Sequence, residues 1–281
     1  MSIELSVIAP HVPSICHKDQ VPEFQQEMVA GLKVVSEEIA EVNPDVIVLI
    51  SCHWPSTFNH YVDCTPVHKG FLTAMEIPEV IKDVPYHYPG DEALGQQLVQ
   101  AGQAAGIPVI ELNDPLYVWD YGTLVPLRHL VPNENIPVIN MCVTLTASIE
   151  ETYKWGQAIA EVLRASDKKC VFVASGAFSH NLVRGRHNKP SIAEHAIDKR
   201  FLELLMNKEY QAAYDMLPQY ASAAKVESGG RHLAMLLGIL DQECQAAYYG
   251  DGQSSGSWNP VITFSKKNVS SIEQVAEEVF A

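Results

Sequence analysis

The stretch Val46-Ile-Val-Leu-Ile50, followed directly by Ser51-Cys-His-Trp54, decides the fold class of this 281-residue chain. A continuous run of aliphatic, mostly β-branched residues is typical of a strand that is covered on both faces of a sheet. The residues before it, 24–42, repeat apolar side chains every three or four positions and therefore predict an amphipathic helix. A buried strand next to an amphipathic helix indicates a layered α/β architecture.

The same alternation of buried strands and helices continues along the sequence. The pattern predicts strands at residues 5–9, 46–50, 108–112, 137–143, 170–174 and 261–264. It predicts helices at residues 24–42, 94–105, 124–130, 152–165, 193–206, 210–216, 231–240 and 271–280. We therefore predict a single domain over residues 1–281, an α/β three-layer sandwich with helices on both faces of a mostly parallel or mixed sheet.

The composition excludes several classes of partner. The 19 basic residues against 34 acidic ones give a formal charge of −15, which disfavours binding to nucleic acid or to an anionic lipid surface. A hydrophobic content of 47% is that of a globular protein, and no apolar run approaches the roughly 20 residues that span a membrane. The six cysteines are scattered without a CxxC pair, and the N-terminus does not resemble a signal peptide. We therefore expect a cytoplasmic protein with no nucleic-acid or membrane partner.

Three of the 11 histidines stand just after predicted buried strands, namely His11, His53 and His180. Open α/β sheets bind ligands at the carboxyl ends of their strands, so parallel neighbouring strands would bring the three imidazoles into one crevice. A single histidine in such a place is more often a solvated loop residue or a satisfied hydrogen-bonding group, and the pattern alone leaves both interpretations open. The histidines expected in polar loops or on exposed helices are His17, His60, His68, His87, His187 and His195.

Two histidines need a further ligand to hold a divalent metal well. A carboxylate would complete the two-histidine, one-carboxylate face of non-haem iron(II) oxygenases, which leaves positions open for substrate and O₂. Spacing does not choose among the 34 acidic residues. Glu227 precedes Ser-Gly-Gly at a predicted helix entrance, where it would either approach the site or interact with the helix N-terminus from the surface.

A fourth polar feature is the segment Asp120-Tyr-Gly-Thr123. Gly122 indicates an unusual turn, and Thr123 would cap the predicted helix 124–130. Tyr121 would then stand at the helix start, where its hydroxyl either bonds a ligand or the ring simply packs.

Seven stretches occur in the order in which one enzyme family carries them. They are His11-Val-Pro-Ser, Cys52-His-Trp, Tyr88-Pro-Gly-Asp-Glu-Ala-Leu-Gly-Gln, Asp120-Tyr-Gly-Thr-Leu-Val-Pro-Leu-Arg, Ala174-Ser-Gly-Ala-Phe-Ser-His, Met216-Leu-Pro-Gln-Tyr-Ala and Met235-Leu-Leu-Gly-Ile-Leu. On these stretches the sequence resembles the class III (LigB-type) extradiol ring-cleavage dioxygenases, particularly the homoprotocatechuate (3,4-dihydroxyphenylacetate) 2,3-dioxygenase branch. The resemblance implies a LigB-like fold and Fe(II)-dependent opening of a catechol beside its diol, with both atoms of O₂ incorporated into a muconic semialdehyde.

The resemblance also assigns roles to individual residues. Its metal ligands fall on His11, His53 and Glu227, and its acid–base histidine falls on His180. Other branches carry a second histidine where this chain has Tyr121, and both Tyr121 and His180 would contact the substrate. An imidazole exchanges protons near neutral pH, which suits His180 to accept a hydroxyl proton from a catechol or aminophenol. Members of the family are usually oligomers, so the resemblance also implies a homo-oligomer.

The chain departs from that branch at two places. After Glu227 it has Ser-Gly-Gly-Arg-His in place of Gly-Asn-Met-His-Asp, and His129 stands where the branch has an aromatic residue. The substrate therefore stays open among homoprotocatechuate, catechol, a substituted catechol and 2-aminophenol, with Arg184, Arg231 and His232 as candidate partners of a carboxylated ring. The alternatives outside this activity are a zinc-dependent hydrolase and a non-catalytic relative.

Overall fold

Ten strands and seven α-helices lie within residues 3–266, the part of the chain that the computed structural model describes. The strands are β1 (Ile3–Ala9), β2 (Val46–Ser56), β3 (His60–Asp63), β4 (Val67–Leu72), β5 (Val84–Pro89), β6 (Val109–Leu112), β7 (Val138–Thr144), β8 (Cys170–Ser175), β9 (Gln245–Ser254) and β10 (Ser257–Ser265). The helices are α1 (Gln26–Val42), α2 (Glu92–Ala104), α3 (Tyr121–Leu130), α4 (Ile149–Ala165), α5 (Ile192–Met206), α6 (Tyr210–Ala223) and α7 (Arg231–Ile239). The predicted helix 271–280 lies outside the described residues.

Eight strands form one mixed sheet in the order β6-β3-β7-β2-β8-β1-β10-β9, and β4 pairs with β5 in a separate two-stranded sheet. The centre of the large sheet is parallel, because β8 lies between β1 and β2 and runs parallel to both. At one end of the sheet, β10 is antiparallel to β1, and the edge strand β9 is antiparallel to β10. The predicted α/β sandwich with a mostly parallel or mixed sheet is therefore confirmed. Strands β1 and β8, which precede His11 and His180, and strand β2, which carries His53 near its end, are parallel neighbours, as the crevice hypothesis requires.

Apolar side chains on the two faces of the sheet pack against different helices. Along β2, Val46, Val48 and Ile50 face one hydrophobic core, while Ile47 and Leu49 face the other. Helices α1 and α3 cover one face, and α2, α4, α5, α6 and α7 cover the other. The alternation along a strand that is buried on both sides explains why its sequence is apolar without interruption. These two cores give the three predicted layers.

The structure contains four strands that the periodicity does not predict, namely β3, β4, β5 and β9. Each mixes polar residues or glycines with apolar ones, so no continuous apolar run indicates it, and pairing with a neighbouring strand decides its conformation. Helix α6 continues through Pro218 to Ala223, beyond its predicted end at residue 216. Burial of Leu217 and Tyr220 in the core outweighs the helix-breaking tendency of that proline.

The prediction that His60 and His68 lie in polar loops or on exposed helices is wrong. Both are buried in strands, and each ring has at least one polar partner that offsets the cost of its burial. His60 Nε2 lies 3.1 Å from Glu151 Oε1. His68 lies between Asp63 Oδ2, 3.2 Å from Nδ1, and the Val138 carbonyl, 3.0 Å from Nε2.

All six cysteines are free and buried. No helix of residues 3–266 is long and apolar enough to cross a membrane. The cytoplasmic location, the single-domain organisation of residues 1–281 and the homo-oligomer stay predictions.

Candidate active site

Three imidazoles surround one carboxylate oxygen at the carboxyl ends of β1, β2 and β8. The Oε1 atom of Glu227 lies 3.1 Å from His11 Nε2, 3.6 Å from His53 Nε2 and 3.8 Å from His180 Nε2. One ligand atom from each of His11, His53 and Glu227 lies within 4.8 Å of the others, a separation that a single metal ion can bridge. The structure thus brings together the four residues that the sequence motifs single out.

Glu227 reaches this point through a tight turn before α7. It begins the 3₁₀ turn Glu227–Gly230, in which Ser228, Gly229 and Gly230 have φ angles of 49°, 63° and 77°. The Glu227 N–H donates to the Phe178 carbonyl at 3.1 Å, and its Oε2 accepts from the Ala177 N–H at 2.6 Å. The carboxylate is 5% exposed, which excludes the alternative of a surface carboxylate beside the helix N-terminus.

Ser175, the last residue of β8, orients the His11 ring. The Ser175 hydroxyl donates to the Gly122 carbonyl, so its oxygen accepts a hydrogen bond from His11 Nδ1 at 3.0 Å. The proton of the neutral ring is therefore on Nδ1, and Nε2 is turned toward Glu227. Hydrogen bonds of this kind behind a histidine fix its tautomer and present the other nitrogen to a metal. The sequence reasoning missed Ser175, although it lies in the Ala174–His180 motif.

The pKa values in this cluster follow from burial and from mutual charge. Burial raises the pKa of Glu227, but the nearby His11, His180 and His53 outweigh it and hold that pKa well below its ordinary value. Burial lowers the pKa of His11, yet the adjacent carboxylate raises it above its ordinary value. Burial and the neighbouring His11 lower the pKa of His53 to about 3. The centre is thus a carboxylate with a neutral His53, and both suit cation binding.

Helix α3 begins one turn earlier than predicted. Its N-cap is Asp120, whose carboxylate accepts from the Thr123 N–H at 3.0 Å and from the Ser51 hydroxyl at 2.6 Å. The prediction that Thr123 caps a helix 124–130 is therefore wrong, because an aspartate three residues before it satisfies the exposed N–H groups. Gly122 is helical, so the unusual turn expected there is absent. A glycine is needed at this position because a Cβ would lie 2.5 Å from Ser51 Oγ.

Tyr121 stands at the start of α3, as expected, and its ring covers the metal-binding histidine candidates. Its centroid lies 3.9 Å from that of His53 and 5.8 Å from that of His11. Glu76, a residue that the sequence analysis did not single out, lines the same cavity and acts on the hydroxyl through its charge. Burial and the charges of Glu76 and Glu227 raise the pKa of Tyr121 above its ordinary value, so the phenol keeps its proton and is a hydrogen-bond donor.

The segment of His180 is held by a buried carboxylate on helix α5. Asp198 accepts from the Ser179 N–H at 3.1 Å, from the Ser179 hydroxyl at 2.6 Å and from the Tyr220 hydroxyl at 2.7 Å. The His180 N–H donates to the Lys225 carbonyl at 3.0 Å. The sequence analysis missed Asp198; the available signal was an acid on the apolar face of α5, which also carries Phe201.

A cavity of about 240 Å³ opens from the cluster to the surface. This is below the roughly 300–1,000 Å³ of pockets for drug-sized ligands and suits a compound with one ring. Its inner wall includes His11, His53, Tyr121, His180 and Glu227, and its outer wall includes Glu76, Ile77, Leu182, Arg186 and polar residues of the β9–β10 hairpin.

The three candidate partners of a ring carboxylate, Arg184, Arg231 and His232, do not line this cavity, and neither does His129. Arg231 donates to the backbone carbonyls of residues 145, 147 and 228, and His232 is buried behind Gly176. His129 is buried and lies 2.8 Å from the Ile15 carbonyl. Arg184 is exposed on the loop after β8, so the cation in the cavity wall is Arg186, two residues further along.

Comparisons with known proteins agree with the motifs. The family model for the catalytic LigB subunit of aromatic ring-opening dioxygenases matches residues 5–259. A 3,4-dihydroxyphenylacetate 2,3-dioxygenase of Escherichia coli is 25% identical over 249 residues, which cover 85% of this chain and 90% of that protein. The β subunit of a Pseudomonas 2-aminophenol 1,6-dioxygenase is 24% identical over an alignment of length 285 that covers 90% of this chain and 93% of that protein.

A solved structure has the same fold. The crystal structure of an uncharacterized protein from Escherichia coli K12 superimposes with a TM-score of 0.68 at 18% sequence identity. The superposition covers 93% of this chain and 99% of that one. At this identity the likeness is one of fold, and it agrees with the predicted α/β architecture.

Proposed function

The chain belongs to the LigB family of aromatic ring-opening dioxygenases, and on this premise we propose that it is an Fe(II)-dependent extradiol dioxygenase. It opens a catechol-type ring beside the diol and incorporates both atoms of O₂, giving a muconic semialdehyde. The observation that carries this proposal is the convergence of His11, His53 and Glu227 at the carboxyl ends of parallel strands.

The donor set fits iron. Two imidazoles and one carboxylate are the facial ligand set of non-haem Fe(II) oxygenases. The Glu227 oxygen that faces the histidines takes no backbone hydrogen bond, since Oε2 is the atom that accepts from Ala177. When bound here by His11, His53 and Glu227, iron would supply a redox-active centre at which the aromatic diol and O₂ can react.

His180 and Tyr121 would handle the protons of the substrate. His180 Nε2 points toward the same carboxylate oxygen as the metal ligands, so a diol bound at the centre has a hydroxyl within its reach. We assign to this nitrogen the proton that the diol loses on binding, which it returns as the ring opens. Tyr121, which stays protonated, would donate a hydrogen bond to a substrate oxygen.

We take 3,4-dihydroxyphenylacetate or catechol as the substrate. The similarity to the Escherichia coli dioxygenase, which extends over 85% of this chain, supports this choice. A 2-aminophenol substrate is the second candidate, favoured by the Pseudomonas relative that extends over 90% of the chain.

The test is anaerobic loading with Fe(II), followed by measurement of O₂ uptake with 3,4-dihydroxyphenylacetate, catechol, 4-methylcatechol and 2-aminophenol. We expect stoichiometric O₂ consumption and a yellow product with at least one compound, and no O₂ uptake after loading with Zn²⁺. Protein that retains zinc and hydrolyses esters without O₂ uptake would refute the proposal.

A variant of His180 separates binding from chemistry. His180→Ala should retain iron and lose about 10²–10⁴-fold in kcat, the usual contribution of a positioned acid–base group. Full activity in this variant would contradict the acid–base role, and unchanged kinetics in Tyr121→Phe would leave Tyr121 as a packing residue.

A further inference from the structure

The outer wall of the cavity contains a cationic side chain on a well-anchored loop. Arg186 lies in the loop between β8 and α5 and lines the cavity. Three backbone hydrogen bonds join this loop to the β9–β10 turn: Val183 N–H to Ser255 O at 2.7 Å, Ser255 N–H to Arg186 O at 3.3 Å, and Gly256 N–H to Asn188 O at 2.9 Å. The backbone that carries the guanidinium is therefore held against the hairpin.

The two charged side chains of the outer wall, Glu76 and Arg186, differ in whether another residue pairs with them. The Oε1 atom of Glu76 lies 3.9 Å from His53 Nδ1, within ion-pair distance. The guanidinium of Arg186 makes no hydrogen bond or ion pair with any residue in the range 3–266, and it is the one Lys or Arg side chain in the wall formed by those residues. Arg186 is thus the charge that is free to bind a ligand.

Two hydroxyl groups lie in the same wall. Ser254 and Ser255 line the cavity, and within the described part of the chain neither side-chain hydroxyl has a hydrogen-bond partner. A guanidinium offers paired N–H donors that match a carboxylate, and hydroxyl donors beside it complete the solvation of such a group. The chemistry of this part of the wall therefore suits an anion.

Building on the proposed ring-opening activity, we propose that Arg186, with Ser254 and Ser255, forms a subsite for a carboxylate carried by the ring substituent of the substrate. The substrate class is then a catechol with a short acidic side chain or a ring carboxylate, held with its diol at His11, His53 and Glu227. The formal charge of −15 repels such anions at long range, so a local cation is needed to retain them.

The experiment compares three catechols that differ in the charge of the substituent. They are 3,4-dihydroxyphenylacetate (anionic), 4-methylcatechol (neutral) and dopamine (cationic), each assayed for kcat/KM with the Fe(II)-loaded enzyme. Arg186→Gln should lower kcat/KM for the anionic compound about 10-fold, the low end for a hydrogen bond to a charged group, because solvent screens an exposed guanidinium. The value for 4-methylcatechol should change less than about 2-fold, within the effect of an exposed substitution that touches no reacting group.

Charge reversal and a neighbouring control sharpen the test. Arg186→Glu should lower kcat/KM for the anionic compound further and raise that for dopamine about 3-fold, the size of an exposed charge interaction. Arg184→Gln removes a positive charge from the same loop outside the cavity wall, and it should leave all three values unchanged.

The outcomes separate this inference from the proposed function. If 4-methylcatechol is cleaved but Arg186→Gln lowers kcat/KM equally for the anionic and neutral compounds, the carboxylate subsite is refuted while the dioxygenase stands. If no compound is cleaved, the proposed activity fails, and anaerobic calorimetry of 3,4-dihydroxyphenylacetate binding to wild type and Arg186→Gln still decides the subsite. Equal affinities in that measurement would overturn it.

Discussion

Replacement of Ser175 by alanine tests whether the hydrogen bond behind His11 controls metal binding. The substitution removes an oxygen that accepts from His11 Nδ1 at 3.0 Å and donates to the Gly122 carbonyl. Ser175 is fully buried, so water does not readily replace the lost hydroxyl. The ring then loses the contact that keeps its proton on Nδ1 and Nε2 toward Glu227.

The expected loss of stability follows from the two groups that lose their hydrogen-bond partner, His11 Nδ1 and the Gly122 carbonyl. A buried donor or acceptor without a partner costs about 1–3 kcal/mol, so the free energy of unfolding should fall by about that amount. Loss of the hydrogen bond behind a metal-binding histidine typically lowers metal affinity about 10–100-fold. We therefore expect the apparent Kd for Fe(II) to rise by about that factor in Ser175→Ala.

The assay is anaerobic Fe(II) titration against a chromogenic chelator, with urea unfolding of the same preparation. Ser36→Ala is the matched control, because it also removes a serine hydroxyl that bonds a backbone carbonyl, that of Leu130 at 3.0 Å, and it lies outside the cavity wall. The control should keep wild-type iron affinity. A folded Ser175→Ala protein with wild-type Kd would refute the reasoning, since the ring would then be oriented without this hydrogen bond.

Three further predictions test other contacts of the site. Gly122→Ala places a Cβ 2.5 Å from Ser51 Oγ, so overpacking should cost about 1–3 kcal/mol of unfolding free energy and lower kcat; wild-type values for both would contradict the close approach. Glu227→Gln should lose Fe(II) on desalting, as metal analysis would show, and full retention would remove Glu227 from the ligands. Burial raises the pKa of Asp198 to about 6 in the folded state, against an ordinary 3.8, so its stabilising contribution is complete below pH 3.8 and is lost as the pH rises through about 6. Relative to Asp198→Asn, the wild type should lose about 3 kcal/mol of unfolding free energy between about pH 4 and pH 7, whereas a pH-independent difference in urea unfolding would contradict the raised pKa.

The α/β architecture was predictable because it depends on local patterns. Continuous apolar runs indicate strands that are covered on both faces, and a repeat of three to four residues indicates a helix against the sheet. Both patterns lie within a single strand or helix, so they can be recognised without knowing which elements pack beside it. Strands β4 and β5 lack such a run, since they pair with each other outside the large sheet.

The histidines of the site were also visible in the sequence, because each follows a predicted apolar strand and strand ends are where such sheets bind ligands. The role of Glu227 was not visible in the sequence, since the Ser-Gly-Gly turn after it is equally typical of a helix entrance at the surface. Only the family motifs selected it as a metal ligand. Its burial, and the Ala177 hydrogen bond that orients it, depend on how α7 packs beside β8.

The amino-acid order therefore established the layered fold, the strand-end histidines and the family of the chain. The arrangement in space added the order of the strands, which puts β8 between β1 and β2, and so brings His11 to within 3.1 Å of a carboxylate 216 positions away. It also identified Ser175, Glu76 and Arg186, whose importance depends on which loops meet over the sheet. The periodicity of apolar residues indicates which side chains are buried. Contacts between loops that are distant in the sequence arise from tertiary packing, which no local sequence pattern indicates.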